Sequence, residues 1–313
     1  MKSFLDICKM TQNEVKIYVR SELKGLGYET VFSEDGFVFA PGEVPVLLCA
    51  HMDTVHSSIP NKIHVILNEK NQTVISADEG IGGDDRCGIY MVLQIAAKRK
   101  CSVLFLEDEE IGLIGASKFV QHPLSSNLHY QYIMEFDRAN QNDAVFYECD
   151  NPDFVSFIKK DGFYKEAFGS CSDISEIAPH LGCSAVNLSC GYYNQHTKTE
   201  YVIWEEMLSS VESAIRILDR TTPDDCFAYV PAMYQNRFYD DYDDDETYII
   251  WFDDKSKLSE YKCSAWSYEE AIGRFMIDNP GITYNEIIDV FDESERGRYR
   301  ALVSEMDIVP AKF

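Results

Sequence analysis

The sequence predicts an α/β protein: a mixed, largely parallel sheet with helices on both faces, followed by a small α/β appendage at the carboxyl end. Three observations lead there. Short apolar runs of strand type at residues 44–50, 102–106, 131–136 and 184–189 alternate with stretches at 86–100, 116–121 and 204–218 whose apolar residues return at helical spacing. The runs are predominantly apolar, as in strands covered on both faces. The composition, 45% hydrophobic and 26% charged over 313 residues, suits a folded chain with one sizeable core and room for a small second unit.

Taken in order, the first element is a helix. Thr11 and Glu14 fit a capping box, and Val15, Val19, Leu23 and Leu26 keep helical spacing until Gly25 and Gly27 close it. Strands follow at 29–32 and 36–40, then the apolar run 44–50. Residues 62–77 alternate around a polar turn at 68–72, as a hairpin does. Between the runs at 131–136 and 184–189 stand a strand at 144–148 and a helix near 153–160.

The pattern breaks near residues 221–223. A catalytic domain is therefore expected over residues 1–223, with 224–313 forming an acidic linker and a small α/β unit of unassigned role. The run YDDYDDDE at 239–246 lacks the glycine and alternating ligand spacing of a calcium loop and reads as a solvated linker. Beyond it, 247–252 is strand-like, Ser267 and Glu270 suggest a second capping box, and 271–277 continues a helix that Asn279, Pro280 and Gly281 end. No internal repeat is present.

The charge excludes one function class. With 28 basic against 53 acidic residues the net charge is −25, which repels a phosphate backbone, and the short basic clusters at 98–100 and 296–300 read as solvated ends of elements. No nucleic-acid partner is expected. The amino terminus lacks the apolar core of a signal peptide, and no stretch approaches the roughly 20 apolar residues of a membrane span, so a cytoplasmic protein without membrane contact is expected. Ten cysteines lie scattered without CxxC pairing, and Cys49 and Cys101 sit inside apolar runs, which points to reduced, buried thiols.

The chemistry gathers at the ends of the apolar runs. VPVLLCAHMDTVH places His51 and Asp53 two apart, on one side of an extended chain. Gly82, Gly83, Asp84, Asp85 and Arg86 open the helix after the hairpin, Leu106 leads into Glu109 and Glu110, Phe136 leads into Asp137, and His196 lies in the late loop YYNQHTKTE. In open α/β sheets ligands gather outside the carboxyl ends of the strands. Two imidazoles and three carboxylates there suffice for two divalent ions if one carboxylate bridges them, and a further carboxylate can carry the proton. Each element alone has a plainer reading: a structural histidine, a solvated EDEE loop, a helix cap, a surface histidine. Their order and joint placement favour the metal site.

HMDTV, GGDDRCG, EDEEIGLIGA, EFDRA and YNQHTKTEY, in this order over residues 44–218, resemble the dinuclear zinc exopeptidases and deacylases: peptidase T, carboxypeptidase G, aminoacylase and related aminopeptidases, with the peptidase T kind nearest. The resemblance implies that Asp84 bridges two divalent ions, zinc by preference with cobalt or manganese as alternatives. His51 and Asp137 complete one metal site, and Glu110 and His196 the other. It makes Glu109 the general base and gives Asp53 the task of holding the His51 ring through its second nitrogen. Lid-bearing members insert a domain between the ligands matched to Asp137 and His196. The 59 positions here leave little room for one. The lid supplies substrate groups and a dimer contact in those relatives, so the resemblance assigns neither substrate sequence nor oligomeric state. Asp173, in SCSDIS, resembles a loop aspartate of the relatives and stands with Tyr193 as a pocket-rim residue or, for Asp173, a loop cap.

The activity implied is hydrolysis of amide bonds in short peptides by an exopeptidase, of the aminopeptidase or peptidase T kind, using a water activated by two zinc ions. A deacylase of N-acyl amino acids or other small amides shares the same centre. A metal-containing binding protein without catalysis is the reading from another class, and the intact Glu109 argues against it.

Overall fold

The computed structural model describes residues 1–147, 149–169, 171–231, 246–253, 257–265, 268–279, 282 and 287–292. The chain divides into two compact units, Met1–Gln195 with Thr199–Met233, and Tyr234–Phe313, with which the loop His196–Lys198 is grouped.

The first unit runs α1 (Lys2–Ile7), α2 (Gln12–Gly25), β1 (Phe32–Glu34), β2 (Phe37–Ala40), β3 (Val44–His51), β4 (Ile63–Leu67), β5 (Thr73–Ala77), α3 (Gly83–Lys98), β6 (Cys101–Leu106) and α4 (Ile114–Gln121). A 3-10 turn at Pro123–Asn127 leads to β7 (Tyr132–Arg138), β8 (Asp143–Val145), α5 (Pro152–Lys159), β9 (Lys165–Ala167), α6 (Asp173–Leu181), β10 (Ala185–Ser189), β11 (Tyr192–Tyr193), β12 (Tyr201–Ile203) and α7 (Trp204–Arg220). The main sheet has the order β1-β2-β6-β3-β7-β10-β8-β9. Its centre, β6-β3-β7-β10, is parallel, while β2 and β8 join it antiparallel. This is the mixed, largely parallel α/β sheet that the sequence predicts.

Alternate residues of β3 serve the two faces. Val46, Leu48 and Ala50 pack into a core that takes Val15 and Val19 of α2, Ile89, Val92 and Leu93 of α3, and Val211 of α7. Leu47 and Cys49 face a second core closed by Phe119 of α4 and Ile174 and Ile177 of α6. Fully burying one such aliphatic or phenyl side chain contributes about 1.5–3 kcal/mol, so these two layers hold the sheet flat against its helices. One close approach fixes α3 against β7. A Cβ on Gly88 would stand 1.8 Å from the Phe136 carbonyl oxygen and 2.3 Å from Asp85 Oδ2.

The capping box of Thr11 and Glu14 is present, with both reciprocal bonds made. Some boundaries differ from the sequence expectation. The first strand begins at Phe32 because pairing is set by the Asp35-Gly36 turn, with Glu34 opposite Phe37 and Phe32 opposite Phe39. The strand expected to stop at Phe136 continues through Asp137 to Arg138, since Ser189 of β10 still pairs there. Helix α1 was not expected from so short a segment. Its Phe4 packs on Tyr90 and Trp204 at centroid distances of 5.8 Å. The expected hairpin is β4 and β5, and with β12 and β11 it forms a second, antiparallel sheet of order β11-β12-β5-β4.

The second unit contains β13 (Glu246–Asp253), β14 (Leu258–Ala265), α8 (Tyr268–Asp278) and β15 (Ile287–Asp292). The strands pair antiparallel in the order β14-β13-β15. Tyr248, Ile250 and Phe252, at strand spacing, pack with Ala271, Ile272 and Phe275 of α8. The acidic run at 239–245, Trp266, Ser267, Pro280 and Gly281, and the basic cluster at 296–300 lie outside the described residues. Among the described residues no helix is long and apolar enough to cross a membrane.

Candidate metal centre

Strand register brings the first groups together. β3 lies between β6 and β7 and runs parallel to both, with His51 beside Leu106 and Cys49 beside Glu135. Two residues on, Asp137 is the lateral neighbour of His51. The loop after Leu106 carries Glu109 and Glu110 to the same edge. Asp84 comes from the start of α3, where Asp84 (φ −82°, ψ 103°) and Asp85 (φ −119°, ψ 43°) depart from helical geometry and are joined by a cis peptide bond. His196 stands in a left-handed conformation, φ 62°, in a loop whose two ends, Gln195 and Thr199, belong to the first unit.

His51 is 1% exposed. Its Nε2 lies 2.9 Å from Asp84 Oδ1 and 3.3 Å from Asp137 Oδ1, and its Nδ1 lies 3.1 Å from Asp53 Oδ1. Burial alone would lower the basicity of this ring, but the carboxylates of Asp137, Asp53 and Asp84 hold it well above its ordinary value. Burial also raises Asp137, and Asp84 beside it adds to the effect. Glu109 is pushed well above the carboxylate range, chiefly by burial, with His51 opposing and Asp137 and Glu110 reinforcing.

Among the described residues, three sets of side chains bring one donor atom each to within 4.8 Å of one another: His51, Asp84 and Asp137; Asp84, Glu110 and His196; and His51, Glu109 and Glu110. Asp84 is common to the first two. Imidazole nitrogen and carboxylate oxygen are the donors that zinc and similar divalent ions take. The surrounding charge is also suited to a cation, because Asp85, Glu135 and Asp173 are buried near the ligands, where burial first and the Asp137 carboxylate with it raise each of them. The residues present fit a pair of divalent ions.

Other groups hold these side chains still. Asp53 Oδ1 faces His51 and also accepts from Glu109 N at 3.0 Å, while Oδ2 accepts from Glu110 N at 3.1 Å. One carboxylate thus orients the imidazole and the loop of Glu109 and Glu110. Asp137 Oδ2 accepts from Ser172 Oγ at 3.1 Å, and the Asp137 backbone is bracketed by Asn187, whose Oδ1 accepts from Asp137 N at 2.9 Å and whose Nδ2 donates to its carbonyl at 3.1 Å. Arg86, buried, donates to the carbonyls of Met52 and Met10 at 2.5 and 3.1 Å. At the other end of the EDEE loop, Lys16 Nζ and Gly36 N donate to Glu107 Oε2 at 2.6 and 2.9 Å.

Residues 40–161 match the model of Peptidase family M28. That stretch holds every metal-ligand and catalytic residue named from the sequence except His196. The similarity to that peptidase family covers less than half of the chain. Solved structures of the same fold include an aminopeptidase PepT from Bacillus cereus, at 15% identity and TM-score 0.54 over 70% of this chain and 96% of that one. A tripeptidase from Staphylococcus aureus is similar at 14% identity and TM-score 0.54, over 69% and 96%. The TET1 peptidase of Pyrococcus horikoshii, which can assemble into a tetrahedron or a large octahedral shell, is similar at 14% identity and TM-score 0.51, over 69% and 97%. No curated protein matches the sequence. In this chain β8, α5, β9, α6, β10 and β11 take up the described residues between Asp137 and His196.

Two sequence expectations are corrected. Asp173 neither lines a rim nor caps a loop: it is the first residue of α6, 0% exposed, and neither carboxylate oxygen meets a hydrogen-bond donor. Tyr193 turns toward α7, where its hydroxyl donates to Glu206 Oε2 at 2.5 Å. Sequence reasoning assigned no role to Asp85, Glu135, Asn187 or Glu200. Glu135 and Asn187 are each flanked by apolar residues in a buried strand, and that placement is the signal that marks them as more than surface groups.

Proposed function

We propose that residues 1–223 form an aminopeptidase-type catalytic domain that removes residues from short peptides with the help of two zinc ions. His51, Asp84 and Asp137 would hold one ion and Asp84, Glu110 and His196 the other. The observation that carries this reading is the sharing of Asp84 by two ligand sets beside a third that contains Glu109. The bound ions would supply a polarised water and a positive clamp for the carbonyl oxygen of the scissile amide. Everything else is the work of this chain. Glu109, its affinity for protons raised by burial, accepts the proton of the attacking water and passes it to the amine that leaves. Asp53 keeps the His51 proton on Nδ1 and so leaves Nε2 free as a donor. The peptidases among the similar structures support a peptide substrate. Cys8, Cys49, Cys87, Cys101, Cys149, Cys183 and Cys190 are buried thiols outside any disulfide, which suits the reducing cytoplasm. Residues 224–313 remain outside the catalytic assignment.

Hydrolysis of a panel of di- and tripeptides, each with free and with acetylated amino terminus, by zinc-reconstituted protein tests the proposal. Cleavage of the free-amine peptides, abolished by Glu109→Gln, is expected. Cleavage confined to the acetylated compounds would overturn the aminopeptidase reading.

A further inference from the structure

The loop that carries His196 also carries a carboxylate with no part in the chemistry above. Glu200, 1% exposed, immediately precedes β12. Its Oε1 accepts from Asp84 N at 3.0 Å. Its Oε2 accepts from Gly82 N at 2.8 Å and faces His56 Nε2 at 2.9 Å. These N–H groups belong to the first turn of α3, whose amides have no partner within the helix and favour an anion. There is little slack: a Cβ on Gly83 would approach Tyr192 Cβ to 2.8 Å and Val202 Cγ2 to 3.0 Å, so the turn sits flat on the strands of the Glu200 loop.

We infer that Glu200 is the positioning residue of the shared ligand Asp84, joining with one carboxylate the three loops that carry His51, Asp84 and His196. His56 lies five residues beyond His51, Asp84 gives its own N–H, and Glu200 lies four residues beyond His196. An error in any loop would therefore be transmitted through this group to Asp84, the side chain common to both ligand sets. Glu200 touches neither substrate nor ion. Its effect is on the geometry and hence the affinity of the metal centre, and it rests on the metal-site reading above.

Zinc binding by competition with a chromogenic chelator, on Glu200→Gln, His56→Gln, Asp84→Asn and the unaltered protein, tests it. Glutamine keeps one acceptor but turns an NH2 group toward a backbone N–H. Glu200→Gln is expected to weaken zinc about 10–100-fold, the range for groups that orient metal ligands. kcat should fall at limiting zinc and recover in excess zinc, with KM unchanged, while the metal-free protein melts as the unaltered one does. His56→Gln removes a single arm and should weaken zinc less, and it carries the test if Glu200→Gln does not fold. Unaltered affinity in Glu200→Gln, or in His56→Gln where that variant carries the test, overturns the inference, as does a lower melting point of the metal-free protein without a change in affinity. Unaltered zinc binding in Asp84→Asn would instead overturn the metal site itself.

Discussion

Replacing Asp53 by Asn keeps the shape of the side chain and removes its charge, and the structure states what that does. Asp53 makes three contacts, to His51 Nδ1 at 3.1 Å, Glu109 N at 3.0 Å and Glu110 N at 3.1 Å, all of which call for an acceptor. Asparagine offers one carbonyl oxygen. If that oxygen serves His51 and Glu109, its NH2 group opposes the Glu110 N–H. If it serves Glu110, the NH2 group faces His51 Nδ1, the proton moves to Nε2, and the nitrogen that would ligate a metal is blocked. Hydrogen bonds of this kind are each worth about 1 kcal/mol net, and more when one partner is charged. Loss of two of them gives about 2–3 kcal/mol, or about 30–150-fold, which agrees with the 10–100-fold typical of groups that orient metal ligands. Chelator competition with zinc, together with kcat and KM on a free-amine dipeptide, measures it. Zinc affinity and kcat in Asp53→Asn within about twofold of the unaltered protein would refute the claim that this carboxylate fixes the ring and the loop.

Glu109→Gln should retain both zinc equivalents while kcat falls about 100–10,000-fold, the span of general-base contributions, measured by metal analysis beside peptide hydrolysis. His196→Ala removes a donor from the set that holds Asp84 and Glu110, so one zinc equivalent should be lost and the other kept, counted by equilibrium dialysis. Removing metal should also make stability fall as pH rises. His51, raised well above 6.5, contributes stability that is full below its unfolded value and is lost as pH climbs through the folded one. Glu135 and Asp173, raised well above 4.5 and 3.8, add to the trend, because the unfolded chain ionises them first and is favoured as pH rises past those values. The melting temperature of metal-free protein should therefore drop as pH rises past 6.5, and the rise produced by zinc should grow in the same direction, since bound metal displaces protons. A zinc-induced shift independent of pH would contradict the charge reading.

The parallel core of the fold was legible because its strands are predominantly apolar runs, and the ligand residues were legible because they stand where those runs end. His51 closes β3 and register alone sets Asp137 beside it. The hairpin at β4 and β5 was equally plain from its alternation and polar turn. What the sequence hid depends on contacts distant along the chain. Helix α1 has two fully buried residues, Phe4 and Ile7, too few for a periodic signal, and is held by Tyr90 and Trp204. Glu200 reads as one more charge in a polar loop until Gly82 and Asp84, more than a hundred residues earlier, are seen to donate to it. Asp173 was misread because a loop aspartate before a helix ordinarily caps it, whereas here the residue lies inside the first turn and is buried by the packing of α6.

The acidic residues around the centre fall into two kinds, and their partners tell them apart. Asp53, Asp85, Glu107 and Glu200 accept main-chain N–H groups: Glu109 and Glu110, His51 and Gly88, Gly36, and Gly82 and Asp84 respectively. Asp53, Asp85 and Glu200 therefore fix the backbone of segments that present a ligand, and Glu107 ties the start of the Glu109 loop to the turn between β1 and β2. Asp84 and Asp137 instead turn Oδ1 toward His51 Nε2, the nitrogen that would ligate a metal beside them. A pair such as Asp84 and Asp85, adjacent in sequence and alike in composition, is divided between the two tasks by the non-helical turn at the start of α3. Rigid placement matters because a displacement of about 1 Å in a reacting group can lower a rate about 100-fold. The backbone-bound carboxylates thus account for why so acidic a cluster is built with more negative groups than two ions need: one set would receive the cations, and the other keeps the first set where the cations must find it.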